Sequence, residues 1–297
     1  MQAANKQSWA AIWISLVSNI VLTVLKIVVG VLFRSQVLIA DGIHNAGDVI
    51  ASATAFGAMR ISNQPADEDH PYGHGKAEVV GAGLVAVILA LAAVWIGFQS
   101  IETLLGPPPE AHLIALVAAF ISLIWKQALY VYTYRAGKQA NSKSLLATAY
   151  DHLADVYASL AAVVGIGLAL IGEMYDYTYL AYGDPASGII VSLLVLKLAV
   201  EMGRESIDIL MEKTVKPEQI DRYAQLVHAI PEVKRIDRLR AREHGHYILV
   251  DARVSIPGEY SIQEGHDISR KIKKVIMDAD AQVDEVLIHI NPWYPEP

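Results

Sequence analysis

Six stretches of the chain stay apolar for about 20 residues or more, the length a helix needs to cross a bilayer. They run roughly over residues 9–33, 36–60, 79–104, 112–134, 144–172 and 185–210. Proline cannot donate to a helix ladder, so Gly106-Pro107-Pro108-Pro109 and Gly183-Asp184-Pro185 read as loops between spans. From residue 212 the pattern changes. Pro217 to Ile230 has helical spacing with proline in its first turn, Val233 to Arg242 and Tyr247 to Ile256 read as strands, Ser261 to Ala279 as a helix and Val283 to Asn291 as a last strand. Ile248, Val250, Ala252, Val254 and Ile256 alternate with other residues, the period of a half-buried strand. Ser261 and Glu264 stand three apart, the signature of a capping box. The predicted fold is an all-α, six-helix transmembrane domain over residues 1–211. A small α+β domain of order α-β-β-α-β follows over 212–297, with its helices on one sheet face.

Composition narrows the function. Hydrophobic residues make up 54% of the chain, against about 45–50% in a soluble domain, and the excess lies before residue 212. The net charge is -7 and no long basic stripe exists, which argues against nucleic acid as a partner. The chain has no cysteine, so any metal must be held by His, Asp, Glu or Asn. The first apolar run is too long for a cleavable signal peptide and lacks a small-residue cleavage site. No nucleophile–base pair or nucleotide loop stands out, so an enzyme is not expected. Basic residues set the orientation, because cytoplasmic loops are rich in Lys and Arg. Arg60 and Lys76 follow span 2, and Arg135, Lys138 and Lys143 follow span 4. The loop after span 1 has Arg34 alone, and those after spans 3 and 5 have none. Both termini are therefore expected in the cytoplasm, on a multi-pass protein of the cell membrane.

Ionisable residues inside spans are costly and mark function by default. In span 2, Asp41, His44 and Asp48 are spaced i, i+3, i+7, on one helix face. In span 5, Asp151 and Asp155 are i, i+4 and again share a face. Asp48 falls about 12 residues into its span and Asp155 about 10, depths of roughly 18 and 15 Å. Both levels are near the middle of a core roughly 30 Å thick, so the two faces can meet in one four-ligand site. Three carboxylates and an imidazole suit a divalent cation. Clustered carboxylates without a cation repel one another and take up protons, so metal binding releases protons. The alternative is a structural polar network or a proton relay. Lys26, Lys126 and Lys197 also lie in apolar runs, where snorkelling or packing at span ends and interfaces is expected.

The loop from Asp67 to Glu78 is dense in ligand types. His70 and His74 are four apart and Asp67 is three before His70, a set that can wrap a transition metal, or else a solvated turn.

The His44-x-x-x-Asp48 and Asp151-x-x-x-Asp155 pairs and the His-Pro-Tyr-Gly-His-Gly-Lys-Ala-Glu loop resemble the cation diffusion facilitator family. The resemblance covers nearly the whole chain. It implies a homodimer that exports zinc, manganese, iron or similar ions in exchange for protons, by alternating access, with the metal as substrate and possible structural ligand. It makes His44, Asp48, Asp151 and Asp155 the transport site, and Asp67, His70 and His74 a second site. The tail resembles a metallochaperone whose dimer interface binds metal, which points to Asp237, Asp251, His266 and His289 as a cytoplasmic-domain site. Lys76 and Glu212 match a charge pair that braces the dimer. Zinc members often carry His-Asp in both spans. This chain has Asp151 in place of the second His, with His152 next to it, and Asn45 beside His44, so the ion is left open. Two other readings stay open: a membrane metal sensor without transport, and a proton-coupled carrier for an organic cation.

Overall fold

The structure is a computed structural model. It describes residues 2–62, 64–139 and 143–294, without the side chains of 2–12, 51–60, 143, 144 and 147. Arg60 and Lys143, used above for orientation, have side chains outside that set. The chain divides into two compact units, one of residues 1–56 with 84–203 and the other of 57–83 with 204–297.

The long helices are α1 (Gln2–Leu32), α2 (Gln36–Ser62), α3 (Lys76–Leu105), α4 (Leu113–Gln139), α5 (Lys143–Met174) and, after the four-residue α6 (Thr178–Ala181), α7 (Gly183–Leu210). Five described helical segments are long and apolar enough to cross a membrane. Helix α2, 27 residues long and bearing Asp41 and Asp48, completes the six. The predicted loop at Gly183-Asp184-Pro185 is instead the first turn of α7. Proline is tolerated there because the first-turn N–H groups have no intrahelical acceptor. Asp184 also caps the start of α2: its carboxylate accepts hydrogen bonds from Ser35 Oγ and from the Val37 N–H.

In the first unit, α4 buries Ala115, Ala118, Ala119, Ser122, Lys126, Leu129, Thr133 and Gly137 along one stripe. Small residues on such a stripe let helix backbones approach closely in lipid. The α1–α2 hairpin uses the same device. A Cβ on Gly42 would stand 3.1 Å from the Ile27 nitrogen and 2.8 Å from Ile27 Cγ1, so only glycine fits this crossing without a shift. The crossing brings the Asp41 turn of α2 against the Lys26 turn of α1.

In the second unit the tail forms α8 (Pro217–His228), β1 (Arg235–His244), β2 (Tyr247–Pro257), α9 (Ile262–Ala279) and β3 (Val283–Trp293). The sheet order is β1-β2-β3, with β1–β2 antiparallel and β2–β3 parallel. A parallel neighbour needs a crossover, which α9 supplies. Ile268, Ile272 and Ile276 of α9 pack with Val250, Val254 and Ile256 of β2. The capping box forms: Ser261 Oγ accepts from the Glu264 N–H, and the Glu264 carboxylate accepts from the Ser261 N–H.

Candidate metal centre

The apolar spacing of α2 and α5 turns two acidic faces toward each other in antiparallel register. Asp41 of α2 meets Ser159 of α5, whose hydroxyl donates to it at 2.9 Å. One turn along α2, His44 Nε2 lies 3.3 Å from Asp155 Oδ1. Another turn along, the half-buried Asp48 stands within electrostatic reach of His44, Asp155, Lys126 and Asp151. Asp48 and Asp155 each lie twelve residues past the first residue of their helix, about 18 Å at 1.5 Å per residue. Asp155 is buried, His44 largely so, and Asp151 is exposed on the flank of α5. Asn45 is buried, and neither of its side-chain polar atoms has a hydrogen-bond partner among the described residues. His152 is turned away from the α2 face: its Nε2 shares a hydrogen bond with Ser15 Oγ of α1 at 2.8 Å.

Two cations sit among these carboxylates. Lys26 Nζ lies 2.7 Å from Asp41 Oδ2 and donates to Ser159 Oγ at 3.1 Å. Lys126 Nζ lies 2.5 Å from Asp155 Oδ2 and donates to Asn19 Oδ1 at 2.9 Å. Both lysines are fully buried, so the expectation of snorkelling or packing at span ends is corrected for them. Lys197, 72% exposed and beside Glu201, does lie at the surface. The missed signal was in the sequence: an ionisable residue inside a span faces the bundle and pairs, and this holds for lysine as for aspartate.

The loop residues converge. The Asp67 carboxylate accepts from the His70 N–H at 2.6 Å, and its two oxygens lie 3.4 Å from His70 Nδ1 and 3.3 Å from His74 Nε2. Among the described residues this trio is the one group whose three ligand atoms lie within 4.8 Å of one another. The backbone hydrogen bond, the largest influence, and the two imidazoles hold Asp67 below its usual range, ready to ligate as the anion. The β1–β2 turn fixes the same loop. Tyr247 Oη donates to the Tyr72 carbonyl at 2.6 Å, and Gly75 packs so closely on the His244 carbonyl that a Cβ would stand 2.0 Å from it.

Lys76 Nζ lies 2.5 Å from Glu212, which also accepts Arg242 Nε at 2.6 Å. Burial raises the Glu212 carboxyl, but these two cations outweigh it and hold the group below its usual range. The four predicted tail residues do not converge within the chain. Asp251 is paired with Arg242 at 2.7 Å, and Asp237 with Arg235 at 2.7 Å. Asn291 links the outer sheet face, donating to Asp237 at 2.8 Å and sharing a hydrogen bond with His289 at 3.0 Å. His266 lies on α9, in the helix layer.

Comparison with known proteins gives two family matches: a cation efflux transmembrane domain over residues 12–211 and a cation efflux protein cytoplasmic domain over residues 215–293. The manganese efflux system protein MneP of Bacillus subtilis (strain 168) is 44% identical over 283 residues, 95% of each chain. MneS, a manganese efflux system protein of the same organism, is 30% identical over 94% of this chain and 93% of its own. Metal tolerance protein C1 of Arabidopsis thaliana is 30% identical over 95% of this chain and 62% of its own. Among solved structures, a MamM CTD aligns with 26% of this chain and 92% of its own, at 16% identity and a TM-score of 0.25.

Proposed function

The chain belongs to the cation efflux family of multi-pass membrane transporters, whose C-terminal domain is cytoplasmic and whose substrates are divalent metals; from that premise we propose that it exports manganese in exchange for protons, as a homodimer in the cell membrane with both termini in the cytoplasm. The observation that carries the site is the buried approach of His44 Nε2 to Asp155 Oδ1 at 3.3 Å, where the α2 and α5 faces meet. In this reading the transmembrane domain spans residues 1–211 and the dimer-forming tail 212–297.

Metal from the cytoplasm is taken by His44, Asp48 and Asp155, with Asp151 one turn below Asp155 closing the shell. One imidazole with three carboxylates is a hard donor set. Carboxylates suit manganese, whereas imidazole suits zinc and iron as well. The naming of MneP and MneS as manganese efflux proteins points the same way. Each carboxylate that binds metal releases whatever proton it carried, and this is the exchange step. The bundle then rocks and metal leaves outward. Asp67, His70 and His74 hold a second ion in the loop. Lys76 and Glu212 brace the dimer, and the tail tightens it. Asp237 and Asp251 already carry arginine partners, so metal in the tail requires ligands from both copies.

The test is competitive uptake of manganese, zinc, iron and cobalt by proteoliposomes under a proton gradient. Manganese should lead and should collapse with the gradient. Metal-dependent dimerisation without flux means a sensor, and flux of an organic cation alone means the other carrier. Either result ends this reading.

A further inference from the structure

Asp155 is central to the proposed site, yet in the structure it already holds a cation. Lys126 Nζ lies 2.5 Å from its Oδ2, and both side chains are buried to within 1%. Burying an ammonium in a bilayer core is costly, and a lysine in an apolar span ordinarily extends to the interface. Lys126 stays inside because Asp155 Oδ2 and Asn19 Oδ1 accept hydrogen bonds from its ammonium. The other face of the same carboxylate points at His44 Nε2, and His152 Nδ1 stands 3.8 Å from Oδ2.

A divalent ion cannot bind Asp155 fully while the ammonium touches it. Two cations at contact distance repel strongly where water is scarce. We propose that Lys126 is a tethered counter-cation: it occupies Asp155 in the empty carrier, is displaced when metal enters, and returns as metal leaves. This rests on Asp155 being a transport ligand.

No proton transfer is needed at Lys126. The ammonium keeps its charge and swings about its own side-chain bonds. A polar path is at hand: Ser122 Oγ, one turn before Lys126 on α4, lies 3.4 Å from Ser159 Oγ, and Ser159 bonds both Lys26 and Asp41. Asp41 holds Lys26 through Oδ2, but its Oδ1 is buried without a hydrogen bond among the described residues and can accept one N–H of the released ammonium, which then shares this carboxylate with Lys26. The tether does for the empty site what bound metal does for the loaded one: it neutralises the carboxylate. It therefore opposes binding and favours release.

The experiment is manganese flux in proteoliposomes together with equilibrium manganese binding to the full-length protein. The binding is done in a His70→Ala/His74→Ala background, so that the loop does not contribute. Lys126→Met should lower KM and Kd at least tenfold and lower kcat at least tenfold, because metal then leaves slowly. Lys126→Arg, which keeps the cation, should stay within about threefold of the parent in both. If Lys126→Met does not fold, Lys126→Gln keeps a hydrogen bond without the charge and should move KM and Kd the same way. A lysine with only a structural role would weaken binding instead, so an unchanged or raised Kd in the folded neutral variant overturns the proposal. The ligand assignment fails separately: if Asp155→Ala binds and transports like the parent, Asp155 is not a ligand. If Asp155→Ala abolishes binding and Lys126→Met leaves Kd alone, only the counter-cation idea falls.

Discussion

Two aspartates outside and inside the membrane show how differently one side chain can be used. Asp237 of β1 is satisfied within the chain by Asn291, Ser255 and Arg235, which hold its carboxyl down at about 2. A group whose folded value is depressed stabilises the fold above its unfolded pKa, and that stability is lost as pH falls through the folded value. The Asp237 contribution should therefore be constant around neutrality and be lost between about pH 4 and about pH 2, by on the order of 1 kcal/mol after solvent screening. Pepsin cleavage of the tail should rise across that window, and Asp237→Asn should flatten the rise relative to the parent. Asp155 is the opposite case. Its oxygens are divided among Lys126, His44 and His152, and Oδ1 has no well-formed hydrogen bond among the described residues. A buried carboxylate left partly unsatisfied calls for an explanation, and the proposed metal ligation supplies one. Asp155→Ala should cut manganese flux at least tenfold while assembly in detergent is retained, as read by size-exclusion chromatography.

At the scale of elements, the site depends on how closely α1 lies against α2. Gly42 permits that approach, so Gly42→Val should force the helices apart and cost about 1–3 kcal/mol, the usual range for overpacking. Thermal stability in detergent measures this, and a parent-like melting point would mean that the crossing is looser than the structure has it. The turn at His244–Tyr247 does similar work for the loop. Tyr247→Phe removes the hydrogen bond to the Tyr72 carbonyl, worth about 1 kcal/mol. It should speed loss of metal from Asp67, His70 and His74 about fivefold, measured by chelator competition.

These elements also mark where the sequence could be read. The tail was legible because its strands alternate with period two and α9 carries its capping box in sequence. The α2 and α5 faces were legible because i, i+3, i+4 and i+7 spacings decide which side chains share a side. The polar partners on neighbouring helices were not. Ser15 and Asn19 of α1 and Ser122 of α4 are buried polar residues that look unremarkable in an apolar run. Whether Lys126 extends to water or turns inward depends on which helix lies beside it, and one span's periodicity carries no record of its neighbour. The same limit hid how His152 is held: its Nδ1 stands 3.8 Å from Asp155, as its spacing suits, but its Nε2 is bonded to Ser15 of α1.

Taken as a whole, a carrier of this kind must choose its ion with few groups, and in the proposed site the choice falls to Asp151. Every other proposed donor is common to a zinc site and a manganese site: His44 supplies one imidazole, and Asp48 and Asp155 supply carboxylates. An imidazole at residue 151 would make two nitrogens and two oxygens, close to the tetrahedral shells zinc accepts. A carboxylate there makes the shell harder and allows more oxygens around the larger, less demanding ion. Asp151→His should therefore raise the ratio of zinc to manganese flux at least tenfold in mixed-ion uptake, mainly by losing manganese. Asp151 is exposed on the flank of α5, so this also tests whether it enters the shell at all. An unchanged ratio would leave three donors from this chain, and the ion would then be chosen by Asn45, by water or by the rocking of the bundle.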